Sequence, residues 1–215
     1  MQSNQFPEKL AAYCRALAME FDEIPPQRRN ILEKLSEYVV HKRQTGDPVR
    51  IIVICTHNSR RSHIGQLWLQ AAAAWYGIGE VQTFSGGTEA TAFNFRSVAA
   101  LREAGFPLEQ ISEGKNPRYR LMLPGSEGVM LFSKKFDEAP NPRMTFAAVM
   151  VCTDADEGCP FVPGADGRFS IPYEDPKHFD ETPLEASAYD ERVRQIGREM
   201  FYVMQHANKQ LSSSN

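Results

Sequence analysis

The chain has 215 residues, a formal net charge of −3 and 42% hydrophobic residues. This length accommodates one sizeable α/β domain with additions, but not two full domains. The nearly balanced charge gives no indication of nucleic-acid binding, and the apolar runs are too short to span a bilayer. We therefore expect no nucleic-acid and no membrane partner.

The first ten residues, MQSNQFPEKL, lack the basic segment and apolar core of a signal peptide, so we expect a cytoplasmic protein. Four cysteines in such a chain should be largely thiols. One of them, Cys14, falls on the apolar stripe of a predicted helix, so we interpret it as a buried core thiol.

Two helices are predicted ahead of the first strand. Apolar residues recur at helical spacing over residues 7–22 and again from Gln27, and Pro25 and Pro26 separate the two segments. We predict that residues 1–47 form a helical extension that packs against the domain or against a second subunit. The sequence leaves the oligomeric state open between a monomer and a homodimer.

The segment 49–62, VRIIVICTHNSRRS, is the centre of the sequence. A β-branched apolar run predicts a buried strand that ends at Cys55, and apolar residues at helical spacing follow the loop. A loop between a strand and a helix N-terminus favours an anion, and a cysteine there is favoured as the nucleophilic thiolate. Arg61 can donate two hydrogen bonds to an oxyanion. The alternative is a buried structural cysteine followed by a surface arginine.

Strands and helices alternate along the rest of the chain. Strands are predicted over 81–85, 146–151 and 168–171, helices over 94–104 and from residue 183, and a hairpin over 118–133. This order predicts a parallel sheet with right-handed crossovers, in which ligands lie beyond the carboxyl ends of the strands. Cys55 and Cys152 both fall at such ends, so both thiols face one pocket if their strands are neighbours.

A second cysteine pair, Cys152 and Cys159, lies in VCTDADEGCP. A helix would hold the two sulfurs roughly 10 Å apart, which is too far for a disulfide unless the segment unwinds. Two unrelated thiols are the alternative. The spacing of the two cysteines does not fit a zinc site. His57, His63 and His178 would become ligands only by chance of folding, so we predict no metal.

Asp175 precedes Pro176 in a loop after the last predicted strand. An Asp-Pro pair is usually a turn former. A carboxylic acid in this loop could also protonate the oxygen that leaves an oxyanion. Glu174 is the rival proton donor, but the adjacent rigid proline makes Asp175 easier to position.

These motifs resemble one protein family. CTHNSRRS resembles the phosphate-binding loop of low-molecular-weight protein tyrosine phosphatases and of the arsenate reductases that share their fold, and FSGGTEATAFNFRSVAALREAGF is similar to their second strand and following helix. CTDADEGCP followed by Asp175-Pro176 resembles the thioredoxin-coupled arsenate reductases specifically. The resemblance covers about residues 49–205. It implies a three-layer α/β fold, in which a four-stranded parallel sheet has helices on both faces within a catalytic domain of residues 48–210.

The resemblance also implies roles for individual residues. Cys55 is the nucleophile, Asp175 is the general acid, and Cys152 and Cys159 form a redox relay that thioredoxin reduces, with no bound cofactor. Asn58 holds the loop in a left-handed conformation. The loop residues that the resemblance implies for oxyanion binding are Thr56, His57, Asn58, Ser59, Arg60, Arg61 and Ser62, and the hydroxyl of Ser62 also stabilises the thiolate.

Three positions depart from the family pattern. Arg60 stands where many of these reductases have a cysteine, and it adds positive charge at the mouth of the site. His57 replaces a glycine and makes the loop tip bulkier. Gln66 occupies the place of a glutamate that helps bind potassium in some relatives, so the sequence leaves open whether a monovalent cation binds.

Three functions are compatible with the sequence. The leading hypothesis is reduction of arsenate to arsenite coupled to thioredoxin. The second is phosphatase activity through a cysteinyl-phosphate, which needs Cys55, Arg61 and Asp175 but neither Cys152 nor Cys159. The third is an oxyanion-binding or redox-sensing module without useful turnover. The cysteine pair discriminates between the first two.

Overall fold

The computed structural model describes residues 6–123, 126–158 and 161–213. The helices are α1 (Glu8–Ala18), α2 (Pro26–Thr45), α3 (Arg61–Tyr76), α4 (Phe95–Glu103), α5 (Thr153–Gly158) and α6 (Glu185–Ser213), with short 3-10 helices at Phe21–Glu23 and Pro176–Phe179. The strands are β1 (Val49–Cys55), β2 (Val81–Gly87), β3 (Leu108–Gln110), β4 (Tyr119–Leu123), β5 (Ser126–Leu131), β6 (Phe146–Met150) and β7 (Ala165–Ser170).

Four parallel strands form the central sheet in the order β2-β1-β6-β7. Strand β1 lies between β2 and β6, and every one of its residues except Arg50 is buried. This double-sided burial is why its sequence is a continuous apolar run rather than an alternating one. The predicted four-stranded parallel sheet is confirmed.

The two faces of the sheet are covered by different parts of the chain. Helix α3 packs on one face, where Gly65 lies against Val53 of β1. Val53 pairs with Ser85, so the next residue, Gly86, faces the opposite side, and there it meets Phe136. The segment 133–143 therefore covers the face opposite to α3.

Strand β7 separates two further helices. Tyr38 of α2 packs against Phe169, whereas Asp156 of α5 accepts a hydrogen bond from Ser170. Successive side chains of a strand point to opposite faces, so α2 and α5 lie on opposite sides of the sheet. The predicted three-layer arrangement is confirmed, with α2 and the short α5 on opposite faces of the sheet.

The long helix α6 packs against α1, α2, α3 and α4. Cys14 of α1 is fully buried in the same core, and this burial raises the pKa of its thiol to about 12. Helix α1 ends at Ala18, earlier than the predicted boundary at residue 22, because the chain continues as the 3-10 turn Phe21–Glu23 before the two prolines.

The predicted hairpin is present as β4 and β5, which pair antiparallel. It is one strand larger than the sequence indicated, because β3 pairs antiparallel with β4. Strand β3 has three residues, of which two are exposed, so its sequence shows no alternation of apolar and polar residues that would predict a strand. In the described part of the chain, no helix is both long and apolar enough to cross a membrane.

Candidate active site

The candidate site lies where β1 ends at Cys55 and α3 begins at Arg61, with the catalytic loop, residues 56–60, between them. Arg60 occupies the N-cap position of α3 but makes no capping hydrogen bond with its side chain. The first N–H groups of α3 are therefore not capped by that side chain, and together with the helix dipole they favour an anion above the loop.

A chain of hydrogen bonds leads to the sulfur of Cys55. The backbone N–H of Lys134 donates to Asn58 Oδ1 over 2.9 Å, and Asn58 Nδ2 donates to Ser62 Oγ over 2.9 Å. Ser62 Oγ lies 3.1 Å from Cys55 Sγ. Because Asn58 already donates to this oxygen, the hydroxyl hydrogen of Ser62 is free to point at the sulfur. Asn58 has a φ of 44°, the left-handed conformation predicted for it.

Two carbonyl groups of the catalytic loop, those of Thr56 and His57, accept hydrogen bonds from side chains outside the loop. Thr56 O accepts from Thr88 Oγ1 over 3.1 Å, and His57 O accepts from Ser133 Oγ over 3.0 Å and from Thr91 Oγ1 over 3.2 Å. In a planar trans peptide the N–H of the next residue points the opposite way. The N–H groups that follow these carbonyls are thus directed to the inside of the loop, as oxyanion binding requires.

Arg61 and Asp175 contact each other directly. Arg61 Nη2 lies 2.7 Å from Asp175 Oδ2, and Arg61 Nη1 donates to the carbonyl oxygen of Tyr173 over 2.8 Å. Asp175 Oδ1 also accepts from the N–H of Lys177, which caps the 3-10 helix. The rival carboxylate, Glu174, has a side chain that is 89% exposed and lies 3.7 Å from Arg192. Asp175 is thus the carboxylate that contacts Arg61.

The side chain of Arg60 makes contacts that the sequence did not predict. Its Nε donates to Tyr189 OH over 2.8 Å, and its Nη2 lies 3.4 Å from Asp180 Oδ2. The side chain is only 15% exposed, so its guanidinium is used for contacts within the protein rather than as a free charge at the mouth. Burial raises the pKa of Tyr189 to about 12, so this hydroxyl stays protonated and donates to Asp180.

Cys152 lies beside the catalytic loop. Its Sγ is 3.3 Å from Thr56 Oγ1, and the preceding residue, Val151, donates its N–H to Ile54 O over 2.9 Å. This contact follows from the pairing of β1 with β6, whose carboxyl ends lie side by side. Cys14, Cys55 and Cys152 are free thiols, and Cys159 lies outside the described residues.

Two of the histidines considered as zinc ligands, His57 and His63, lie in different environments. His57 is 44% exposed, and its Nε2 lies 3.7 Å from Glu89. His63 is fully buried and stacked on Phe93, and this burial lowers the pKa of its imidazole well below the ordinary value. In the described residues, no group of three or more histidine, cysteine, aspartate and glutamate side chains is placed to hold a metal ion. Gln66 donates its amide to Thr83 O over 2.9 Å.

Several site residues were not found from the sequence. Ser133 holds the loop from outside, Tyr173 holds Arg61, and Tyr189 and Asp180 hold Arg60. A side chain at Gly87 would have its Cβ 2.6 Å from Asn58 N, so the loop can approach β2 only at a glycine. The Gly-Gly pair at the end of β2 was the one available signal for such a close approach.

No protein-family model matches the chain. An arsenate reductase from Bacillus licheniformis is 28% identical over 145 residues, which cover 67% of this chain and 86% of that protein. A low-molecular-weight phosphotyrosine phosphatase from Vibrio cholerae O395 superposes with a TM-score of 0.51 at 12% identity, covering 75% of this chain and 98% of that one. A YwlE mutant from Bacillus subtilis superposes with a TM-score of 0.50 at 16% identity, covering 76% and 99% respectively.

These comparisons confirm the predicted fold class and agree with the resemblance of the sequence to arsenate reductases. The two superposed structures share the fold of this chain over about three quarters of its length, and the arsenate reductase matches at the level of sequence. The chain thus has the fold of the low-molecular-weight tyrosine phosphatases and is similar in sequence to an arsenate reductase.

Proposed function

We propose that this protein reduces arsenate to arsenite through Cys55 and a relay of Cys152 and Cys159, and that a thioredoxin regenerates it. The catalytic domain is assigned to residues 48–210, and residues 1–47 form a supporting extension. The relay requires reduced thiols, so a reducing compartment such as the cytoplasm suits this chemistry. The relative from Bacillus licheniformis carries the name of this activity.

The first step is attack on arsenic. The Cys55 thiolate attacks As(V), a sulfur–arsenic bond forms, and one oxygen leaves as water after it takes a proton from Asp175. Arg61 and the inward N–H groups of the loop bind the remaining oxygens, which carry the negative charge. For this, Arg61 must give up part of its contact with Asp175 to the substrate.

The second step moves two electrons onto arsenic. The Cys152 thiolate attacks Cys55 Sγ, the sulfur–arsenic bond breaks, and its electron pair stays on arsenic, which leaves as arsenite. A Cys55–Cys152 disulfide forms. Cys159 then attacks Cys152 by thiol–disulfide exchange, which releases Cys55 as a thiolate and leaves a Cys152–Cys159 disulfide for the thioredoxin dithiol to reduce.

The observation that carries this proposal is the 3.3 Å contact between Cys152 Sγ and Thr56 Oγ1. Thr56 directly follows the proposed nucleophile, so this contact brings a second free thiol to the edge of the oxyanion site. A phosphatase has no use for a thiol at this position. The hydroxyl of Thr56 can also donate a hydrogen bond to the sulfur of Cys152.

The test compares the wild type with Cys152→Ser and Cys159→Ser, and uses Cys14→Ala as the matched control, because Cys14 is buried in the core away from the loop. NADPH oxidation is followed with arsenate, thioredoxin and thioredoxin reductase, and hydrolysis of p-nitrophenyl phosphate is measured in parallel. We expect both serine variants to lose arsenate turnover while they keep hydrolysis. The alanine control should keep both activities.

Phosphatase activity is the second candidate, because the same loop, Arg61 and Asp175 serve an aryl phosphate and the fold matches a phosphotyrosine phosphatase. Arsenate turnover that survives both serine substitutions would transfer the assignment to this candidate. A wild type without either activity would leave an oxyanion-binding or redox-sensing module.

A further inference from the structure

The segment 173–182 carries the proposed general acid Asp175, and it is held at both ends. On one side Tyr173 is buried, and its carbonyl oxygen accepts a hydrogen bond from Arg61. Between the ends, residues 177–179 are exposed. On the other side, Asp180 ends the 3-10 helix and turns its carboxylate to Arg60.

Five side chains from four parts of the chain meet at this second end, and we call them the Arg60 cluster. Arg60 Nε donates to Tyr189 OH over 2.8 Å, and that hydroxyl donates to Asp180 Oδ1 over 2.8 Å. Arg96 Nη1 lies 3.8 Å from Asp180 Oδ2, and Arg96 Nε lies 2.7 Å from Glu185 Oε2. The cluster thus fastens the acid-bearing segment to the catalytic loop, to α4 and to α6.

The geometry of Arg60 fits a bridge between the catalytic loop and this segment. Its backbone belongs to the loop, while its guanidinium contacts Tyr189 and Asp180 and lies 3.8 Å from Asp175 Oδ1. The guanidinium fork can hold two acceptors in a fixed plane, which an ammonium group cannot do. A misplacement of Asp175 by about 1 Å would lower the rate of proton transfer substantially.

We propose that Arg60 is a positioning residue for Asp175, which it holds at its working distance through Asp180 and Tyr189. This inference rests on the proposed function of the site. It replaces the expectation that Arg60 serves to attract anions. The two accounts differ in the step that Arg60 affects, which is proton donation to the leaving group in one case and substrate capture in the other.

The test uses two aryl phosphates whose hydrolysis depends to different degrees on proton donation by Asp175. Phenyl phosphate expels a phenolate whose conjugate acid has a pKa of about 10 and needs protonation, whereas p-nitrophenyl phosphate expels a much weaker base. The variants are Arg60→Gln, Arg60→Lys, Tyr189→Phe and Asp180→Asn. Asp175→Asn is the reference for loss of the acid, and Arg15→Gln is a matched control at an exposed arginine of α1.

We expect Arg60→Gln, Tyr189→Phe and Asp180→Asn to lower kcat for phenyl phosphate about tenfold, with kcat for p-nitrophenyl phosphate and both KM values within about twofold. Arg60→Lys should lie between these variants and the wild type. Asp175→Asn should show the same preference more strongly. Tyr189 lies on α6 and not on the loop, so its variant tests the bridge without changing the charge of the site.

Two results would overturn the inference. An equal rise of KM for both substrates in Arg60→Gln, with matching weaker inhibition by inorganic phosphate and an unchanged Tyr189→Phe, would make Arg60 an anion-attracting charge. An equal fall of kcat for both substrates with a lowered Tm would make the cluster purely structural. A wild type that hydrolyses neither substrate would instead refute the catalytic site itself. If Arg60→Gln does not fold, Arg60→Lys and Tyr189→Phe decide.

Discussion

Arg28 of α2 and Glu199 of α6 form a buried ion pair in which Arg28 Nη2 lies 2.8 Å from Glu199 Oε2, with side chains that are 16% and 4% exposed. The same carboxylate oxygen accepts a hydrogen bond from Tyr173 OH over 2.7 Å. Tyr173 in turn accepts a hydrogen bond from Arg61 through its carbonyl oxygen. Helix α2 is therefore connected to Arg61 through two intervening residues, Glu199 and Tyr173.

Replacing Arg28 with methionine leaves the carboxylate of Glu199 buried without its cation. We expect the free energy of unfolding to fall by about 3–5 kcal/mol, because breaking one side of a buried pair exposes the full desolvation cost of the other. Urea denaturation measures this change. Adding Glu199→Gln should recover part of the loss, since the amide still accepts from Tyr173. Arg15→Met at an exposed site is the control, and a loss of less than about 1 kcal/mol for Arg28→Met would contradict the argument.

Gly87 gives a prediction about oxyanion binding. A Cβ at this position would lie 2.2 Å from Glu89 O and 2.6 Å from Asn58 N, so Gly87→Ala must push the catalytic loop away from β2. We expect the Kd for inorganic phosphate, measured by calorimetry, to rise at least about tenfold, because the loop N–H groups lose their alignment. Gly79→Ala is the matched control, because its Cβ would meet nothing within 4 Å. Equal phosphate affinity in the two variants would show that the loop adapts.

Lys134 makes stability depend on pH. Burial lowers the pKa of its ammonium from 10.5 to about 8, so the folded protein releases this proton before the unfolded chain does. Between about pH 8 and pH 10.5 the unfolded state binds more protons, and this group therefore adds stability as the pH rises, by up to about 3 kcal/mol. The cost of the buried charge is fully present below about pH 8.

Lys134→Met removes this titration while it keeps the backbone N–H that donates to Asn58. The gain in the free energy of unfolding from the substitution should be largest near neutral pH and should shrink toward pH 10.5. Chemical denaturation of the wild type and of Lys134→Met across this range gives the difference between their free energies of unfolding. The titrations of the buried tyrosines and of Cys14 are common to both proteins and cancel in this difference. A difference that stays constant with pH would exclude Lys134 as the source.

Thr56 gives a prediction that separates the two half-reactions. Thr56→Val removes the hydroxyl that lies 3.3 Å from Cys152 Sγ, and a lost hydrogen bond to a charged group costs about 1.5–3 kcal/mol. We expect release of arsenite in a single turnover to slow by about tenfold or more, with a much smaller effect on hydrolysis of p-nitrophenyl phosphate. Thr56→Ser should restore the rate. Equal slowing of both reactions would place the role of Thr56 in oxyanion binding alone.

The sequence predicted the central part of the fold because its signals are local. A continuous β-branched run marks β1 as a strand buried on both faces, and the turn residues before it and the helical periodicity after it are equally direct. A topological rule about strand ends predicted that Cys55 and Cys152 face one pocket if their strands are neighbours, and β1 and β6 do pair side by side.

The contacts that arrange the site could not be predicted in this way. Arg60 meets Asp180 and Tyr189 across 120 and 129 residues, and the direction of a surface-type side chain has no periodic signature. Ser133 reaches His57 O across 76 residues for the same reason. Between Glu174 and Asp175 the sequence offered only the neighbouring proline as a criterion, whereas the structure separates them by the side of the loop each one faces.

The full burial of Cys14 has a consequence for the proposed release of arsenite. Soft metalloids bind to ionised sulfur, and a thiol with a pKa of about 12 is almost never ionised at neutral pH. Cys14 is therefore protected both from capture by the product and from scrambled disulfides with the reductant. A fourth cysteine at this buried position therefore does not interfere with the chemistry proposed for the other three.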